Sequence, residues 1–596
     1  MIEQSASRDE VVIIGGGPAG LTAAYELSKL GHRPIIIEKG SKVGGLARTE
    51  NYKNFYFDMG GHRFFTKSPE VKKLWSEVLK EDFLRRPRLS RIYYKKKFFN
   101  YPLKPLNALL GLGLWESILI ILSYVRWHFF PYRKEDTFEH WVTNRFGKRL
   151  FLTFFKSYTE KVWGIPCSEL KAEWAAQRIK GLSLKTALLN MFLKPKKTIK
   201  TLIEEFDYPR LGPGMMWTRV KESVEARGAK VRLNSEVSKI CLQDARIRSV
   251  VVSNNGHSEV IEGKNFISSM PLAEFVKKLD PLPGPEILRA TEKINYRDFL
   301  TVCLIVNKAH LFPDNWIYIH DPDVKVGRIQ NFKNWSPAMV PDQGKSSLGL
   351  EYFCTEGDKL WNAADADLIE LAKREVARIG LAEYGDIEDG CVFRVPKSYP
   401  IYDSDYREQL AVVRKFVEGI ENFQTIGRNG LHRYNNQDHA MLTGMLAVRN
   451  LMFGQKNDLW AVNTDEEYHE EITVPAEEAA EVIHDVLAHV FRKLDSWAFG
   501  LSIGIACSLL LFLPTLILVL KGGDIVGPRL QLLSQYFPGY AVTLAGSFLG
   551  LGYGFLTGLV MGWGFAFLRN SAMFLFLAIA RRSAERELLR RLLEYF

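Results

Sequence analysis

The chain has few cysteines and no pair of them at ligand spacing. Its six cysteines, Cys167, Cys241, Cys303, Cys354, Cys391 and Cys507, are scattered without a CxxC. Neither a zinc site nor a disulfide framework is signalled, so no metal ligand is assigned and the catalytic part is expected in a reducing compartment. Although the net charge is +11, no basic stripe interleaves with aromatics. Much of the surplus lies beside apolar segments near the C-terminus, which excludes nucleic acid as the expected partner and points to a membrane surface. There is no internal repeat and no low-complexity tract. The opening MIEQSASRDEVVIIGGG enters a strand at once, and no signal peptide is expected. With 596 residues, 47% of them hydrophobic, the chain can bury several cores, and about two to four units of structure are expected.

Two stretches lack charge altogether, Trp497 to Leu520 and about Tyr540 to Leu568. Each exceeds the roughly 20 residues that a spanning helix needs; buried helices of a soluble core are the competing reading. The second carries Gly546, Gly550, Gly554, Gly558 and Gly562, a four-residue spacing that leaves a smooth ridge for close helix contact, so a two-helix hairpin is expected. Arg492 and Lys493 precede the pair and Arg569, Arg581, Arg582, Arg586, Arg590 and Arg591 follow it, whereas the loop offers Lys521 and Arg529 with Asp524. The positive-inside rule then puts both ends, and with them the catalytic part, on the cytoplasmic face of the inner membrane.

The segment VVIIGGGPAGLTAAYELSKLGHRPIIIEKG reads as a buried strand, a glycine turn, a helix and a second strand ending at Glu38. In such a βαβ unit Gly15 permits the turn, Gly17 lets the backbone approach a pyrophosphate, Gly20 allows helix and strand to pack, and Glu38 binds a ribose hydroxyl. Pro18, Ala19 and Lys39 flank these contacts. Two further glycine pairs, Gly44-Gly45 before Leu46 and Gly60-Gly61 before His62, mark places where a backbone comes close to something flat or phosphorylated; loose surface turns are the plainer reading. From Gly228 to Leu272 the pattern is a strand, a β-meander containing Val237, and a return strand.

The expected architecture is α/β. A discontinuous Rossmann-like FAD-binding domain is assigned to 1–66, 209–280 and 401–455, a mostly helical, membrane- or substrate-facing insertion to 67–208, and a mixed α+β substrate domain to 281–400. An acidic linker and helix (456–496) and the transmembrane hairpin with its basic tail (497–596) follow. Within the first insertion, the apolar stretch from Leu106 to Val125 is either a core helix or a helix dipping into the membrane interface. Near the end of the soluble part stands NNQDHAM, Asn435 to Met441, five polar residues opening an apolar helix, more than capping alone requires.

Read together, the Gly15-Gly17-Gly20 fingerprint, the GGH at Gly60 to His62, FDYPRLGPGMMW at Phe206 to Trp217, and GRNG followed by RYNNQDH resemble the UDP-galactopyranose mutase family of flavoproteins, closest to its longer eukaryotic-type members. The resemblance covers most of the chain to about Asn450, is patchy in the helical region and is absent from the hairpin. The nucleotide domain is more distantly similar to those of amine oxidases, phytoene desaturases and protoporphyrinogen oxidase. It implies FAD, active when reduced. In the family, N5 of the flavin attacks the anomeric carbon of the sugar, the adduct opens to an iminium, and the open chain recloses through a different hydroxyl without net redox change. This requires a nucleophilic flavin, a held and neutralised diphosphate and little water.

Carried residue by residue, the resemblance assigns Arg178 and Arg328 to the diphosphate, gripped by guanidinium forks, and Tyr318, Tyr399 and Tyr434 to the same phosphates. Tyr101, Trp163 and Trp316 line the nucleotide and sugar cleft. His62 lies beside the flavin ring, Arg428 contacts the flavin, and Asn436 is a substrate-side amide. The helix opening at Gln437 and Asp438 points its N-terminus at the flavin's N1–C2 edge, where reduced flavin carries negative charge. Surface ion pairing for the arginines, packing for the tyrosines and simple capping for NNQDHAM are the competing readings.

The chain departs from the family in three places. Lys104 replaces a glutamine near the uracil, the loop after GGH reads RFFTKSPE, and the soluble mutases lack the hairpin. The substrate is therefore expected to be a nucleotide-sugar or a lipid-linked sugar, with NAD(P)H or a flavin reductase as reductant, a membrane glycosyltransferase as a compatible partner and a homo-oligomer as a compatible state. The alternatives are a flavin oxidase or desaturase acting on a membrane isoprenoid or amine, and a non-catalytic flavoprotein that organises glycan enzymes.

Overall fold

The computed structural model describes residues 11–101, 105–172, 198–202, 204–403, 405–463, 471–475, 494–522 and 527–593. Lys104 and Arg178 lie outside them. Two compact units are formed, one from residues 1–191 and 201–472 and one from 192–200 and 473–596.

In the first unit, β1 (Val11–Ile14) and β2 (Ile35–Ile37) are short apolar runs, largely buried as an interior parallel strand must be. With β3 (Lys230–Arg232), β4 (Asn265–Ser268) and β5 (Phe423–Thr425) they make a parallel sheet in the order β3-β2-β1-β4-β5. Segments more than two hundred residues apart thus share one sheet, because only neighbours on both sides satisfy the backbone of β1. Helix α1 (Pro18–Lys29) starts with proline in its first turn and packs between α2 (Pro213–Glu225) and α3 (Gln437–Phe453). The approach of α3 is very close: a Cβ on Gly444 would sit 2.5 Å from the Ala19 carbonyl. The meander pairs His257–Glu262, Arg246–Asn254 and Glu236–Gln243 in sequence, with Leu279–Asp280 at its edge.

A second, seven-stranded sheet runs in the order Ile387–Pro400, Tyr296–Val306, Ser346–Cys354, Arg328–Asn331, Trp316–Ile319, Ser90–Tyr94, Lys97–Asn100. Its central strands are buried on both faces. Leu300, Val302 and Leu304 face the core under the helix Asp365–Ile379, whereas Phe299, Cys303 and Ile305 face an aromatic core shared with residues 138–170. The last two strands come from the segment read in sequence as mostly helical. Their alternation (Ser90, Ile92 and Tyr93 buried; Lys95–Lys97 exposed) is too short to stand out beside the long apolar run that follows. That run becomes two helices, Pro105–Leu112 and Leu114–Phe129, broken at Gly113, which has φ +93°.

In the second unit, α4 (Ser496–Lys521) and α5 (Leu544–Leu593) pack along each other, and both contain stretches long and apolar enough to cross a membrane. The glycine ridge is used at the crossing. Cβ atoms on Gly554 and Gly558 would meet the carbonyls of Cys507 and Ile503 at 2.7 Å, and one on Gly562 would meet the Gly500 Cα at 3.1 Å. Gly546 and Gly550 instead accommodate Ala541 and Tyr540. The second helix continues well past the apolar stretch to Leu593, carrying the arginine-rich segment as one helix.

Candidate functional site

Two contiguous clefts open above the carboxyl ends of β1, β2 and β4. The first, about 1420 Å³, is lined by Gly15, Gly17, Glu38, Lys39, Gly45, Leu46 and Val237, among others. Gly15 has φ +103°, and a side chain there would strike Ser269 Oγ at 2.3 Å; a Cβ on Gly20 would fall 2.0 Å from the Gly15 carbonyl. Both glycines are therefore demanded by backbone sterics. The Glu38 carboxylate accepts from the Gly16 and Gly40 amides, each at 2.7 Å, which fixes it at the end of β2 where a ribose would meet it.

The second cleft, about 1250 Å³, shares Gly17, Leu46, Ser269 and Asn429 with the first and extends past Gly60, Gly61 and His62 to Tyr318, Arg328, Tyr399, Arg428 and Tyr434. The large sheet's register assembles its polar wall: Tyr318 lies opposite Arg328, and Arg328 opposite Glu351, on successive strands. Arg328 donates to the fully buried Glu351 carboxylate through Nε (2.9 Å) and Nη2 (2.6 Å), and Gln330 Nε2 donates to the same carboxylate at 2.8 Å. Burial alone would lower the arginine's pKa, but Glu351 reverses this and holds it well above the ordinary value. The charge is locked on, and Nη1 is the part of the fork not committed to Glu351.

Beside it, Arg428 lies over the rings of Tyr434 (4.1 Å) and Tyr399 (4.8 Å), which stack on each other at 5.6 Å. Burial pushes the Tyr399 and Tyr158 phenols up, so both stay protonated and able to donate. His62 is pushed down to about 3 by burial and by the charges of Arg428 and Arg328, so its ring is neutral at physiological pH. Its Nδ1 is enclosed without a hydrogen-bond partner.

The structure answers the NNQDHAM question in part. Asn436 is the N-cap of α3, and its backbone amide donates to His439 Nδ1 at 3.3 Å, so two of the five residues do cap. Asn435, Gln437 and Asp438 are buried, and neither Gln437 Oε1 nor Gln437 Nε2 finds a protein partner. Burial raises Asp438 to about 7, against the opposing hydrogen bond from Thr66. Buried amide groups of this kind need a hydrogen-bond partner from outside the chain, ordered water or a ligand, and Gln437 lines the cleft at the N-terminus of α3.

Of the residues expected at the site, Gly17, Pro18, Ala19, Leu46, Gly60, Gly61, His62, Tyr318, Arg328, Tyr399, Arg428, Tyr434, Asn436 and Gln437 line the second cleft. Gly20 and Asp438 sit behind the wall. Trp163, 1% exposed, backs Tyr399 and Tyr434. Trp316, 2% exposed, stacks under Arg63 and Arg88, with Tyr101 against Tyr318. These two tryptophans support the wall from behind. Glu351 escaped the sequence reading, though its signal is visible: one carboxylate in the middle of the otherwise apolar strand SSLGLEYFC. Within FDYPRLGPGMMW, Gly212 and Gly214 let α2 start against Thr49 and Asp58.

A glycine cradle, an anchored carboxylate at the end of β2 and a cleft with unsatisfied amides over a helix N-terminus fit a dinucleotide whose flat ring reaches the second cleft. The fold and site define a flavin-binding enzyme. The sequence profile of flavin containing amine oxidoreductases matches residues 18–423, and the chain belongs to that family, with FAD as its cofactor. Among curated proteins it is 25% identical over 396 residues to a 15-cis-phytoene desaturase of Oncidium hybrid cultivar (62% of this chain, 64% of that protein). It is 26% identical over 403 residues to the enzyme of Solanum lycopersicum, with the same coverage, so it spans just under two thirds of these relatives. Among solved structures, reduced UDP-galactopyranose mutase matches with a TM-score of 0.66 at 22% identity, covering 77% of this chain and 99% of that one. An oxidoreductase from Methanosarcina mazei matches at 0.51 and 15%, covering 73% and 99%.

Proposed function

We propose that the chain is a flavin-dependent mutase that interconverts the pyranose and furanose forms of a phosphate- or diphosphate-activated sugar, carried on UDP or on a polyprenyl lipid. The observation that carries this reading is Arg328, kept charged by a buried carboxylate and set in a tyrosine-rich wall beside Gly60 and His62. Glu351 balances Arg328, so with Arg428 the cleft keeps one net positive charge beside the uncommitted Nη1 of Arg328, which repels a protonated amine and gains nothing from a hydrocarbon. An anionic substrate suits both. When bound and reduced, FAD supplies the nucleophile toward the sugar. Arg328 and Tyr318 hold the phosphate, Tyr399 and Tyr434 donate hydroxyls, the aromatic backing excludes water, and neutral His62 neither adds charge nor takes up a proton. Arg178 is proposed as the second phosphate ligand. We place the chain in the membrane through both C-terminal helices, with the catalytic part cytoplasmic, fed by NAD(P)H or a flavin reductase and supplying a glycosyltransferase.

The test is anaerobic incubation of the dithionite-reduced, full-length protein with UDP-galactopyranose and, separately, polyprenyl-phosphate hexoses. Furanose product supports the reading, and recovery of every sugar unchanged removes it. The phytoene desaturase relatives favour a second reading, oxidation or desaturation of a membrane isoprenoid. Substrate-dependent consumption of oxygen or quinone would establish that one instead.

A further inference from the structure

The helix Leu114–Phe129 has two unlike faces. Ser117 and Ile120 are buried, Ser123 Oγ accepts the Arg149 amide at 3.1 Å, Glu116 is gripped by Arg149 at 2.6 and 2.8 Å, and a Cβ on Gly147 would sit 2.9 Å from the Tyr124 backbone. This face is docked on the first unit. Along the other face Trp115 (73% exposed), Ile118, Leu122, Val125 and Phe129 (70%) follow one another at spacings of three and four residues, with Phe130 just beyond. Such a stripe is an amphipathic helix with its apolar side bare.

The rim of the stripe is basic. From Lys95 to Asp136 the sequence holds seven lysines and arginines and three acids, of which Glu116 is paired with Arg149 and Glu135 with Arg145. The exposed turn at Lys95–Lys97 reaches the preceding helix, where Lys97 Nζ donates to the Gly111 carbonyl at 2.8 Å. Arg126, Arg133 and Lys134 stand exposed at the other end, beside the Trp127 and Tyr132 ring pair. A second copy seated on this stripe would bring two such rims together and be repelled. An anionic lipid surface meets both features at once, apolar residues entering the acyl boundary and lysines and arginines meeting headgroups.

We infer that Leu114–Phe130 is a second membrane contact, independent of the two C-terminal helices, lying in the headgroup region of an anionic bilayer. It moors the catalytic unit to the lipid surface, and it goes beyond the proposed mutase activity without depending on it.

The test places the photoreactive residue p-benzoyl-phenylalanine at Leu122, and in a separate protein at Arg374, an exposed position on the helix Asp365–Ile379. The full-length protein is incorporated at one copy per nanodisc of phosphatidylcholine and phosphatidylglycerol, irradiated and analysed by mass spectrometry. A lipid adduct at Leu122 with none at Arg374 is expected. A crosslink from Leu122 to another segment of the chain, a crosslinked dimer in liposomes, or no lipid adduct would each overturn the inference. Because both positions are exposed, retained flavin absorbance confirms that each protein is folded before irradiation.

Discussion

At the residue scale the decisive feature is the pairing of Arg328 with Glu351. A buried ion pair loses much when one partner is removed, on the order of 3–5 kcal/mol, because the other charge is stranded. Arg328→Ala and Glu351→Gln are each expected to lower the melting temperature. The double variant should recover part of that loss while staying at least about 100-fold down in kcat/KM, roughly the 2–3 kcal/mol of a charge-assisted contact to phosphate. A double variant that regains activity would show that the arginine serves the fold alone. Asp58 supplies a pH signature. Burial raises it from 3.8 to about 7, against the donors Tyr208 and Thr49. The folded chain therefore keeps a proton that the unfolded chain gives up. This contribution to stability is complete below about pH 4 and is lost as the pH rises through about 7. Asp58→Asn, neutral throughout, should flatten the fall in melting temperature between pH 5 and 7. Asp438, raised to about 7 as well, contributes a fall of the same sign, so the substitution removes only part of the slope; an unchanged slope would contradict the assignment.

At the element scale, cofactor retention depends on how closely α3 approaches α1. A side chain at Gly444 has the Ala19 carbonyl 2.5 Å away, so Gly444→Val must push the helices apart, at a cost of about 1–3 kcal/mol for overpacking. The displaced N-terminus would take Asn436 and Gln437 with it. The purified variant is expected to fold but to lose most of its bound FAD, read as flavin absorbance per chain. Full FAD occupancy would mean that the helix N-terminus does not govern binding. This also bounds what the NNQDHAM motif could say: its polarity was legible, whereas the pairing of Asn436 with His439 as a cap and the placing of Asn435, Asn436 and Gln437 on the cleft wall required the tertiary structure.

At the scale of the whole molecule, the proposed topology sets the inter-helix loop against the catalytic unit. Tyr536 is 77% exposed between α4 and α5. In intact cells Tyr536→Cys should react with a membrane-impermeant maleimide, whereas a cysteine at Arg374 should react only after lysis. Labelling of both, or of neither, would reject an inner-membrane hairpin with a cytoplasmic catalytic unit. The glycine crossing of Gly554, Gly558 and Gly562 makes the hairpin a packed pair, and no longer-range contact is needed to explain it.

What the sequence by itself determined is the local chemistry: the glycine turn with Glu38, the strand and helix periods, the uncharged spans and the glycine ridge. Each is decided within a few turns of chain by sterics or hydropathy, and so can be read one residue after another. What only the tertiary structure decided is which distant residues share a wall. Strand register set Arg328 between Tyr318 and Glu351 and joined the Ser90–Asn100 hairpin to a sheet whose other strands lie two hundred residues on, whereas helix packing on Arg149 and Gly147 left one face of Leu114–Phe129 bare. Those outcomes depend on backbone pairing and burial between segments far apart in the chain, and no local periodicity encodes them.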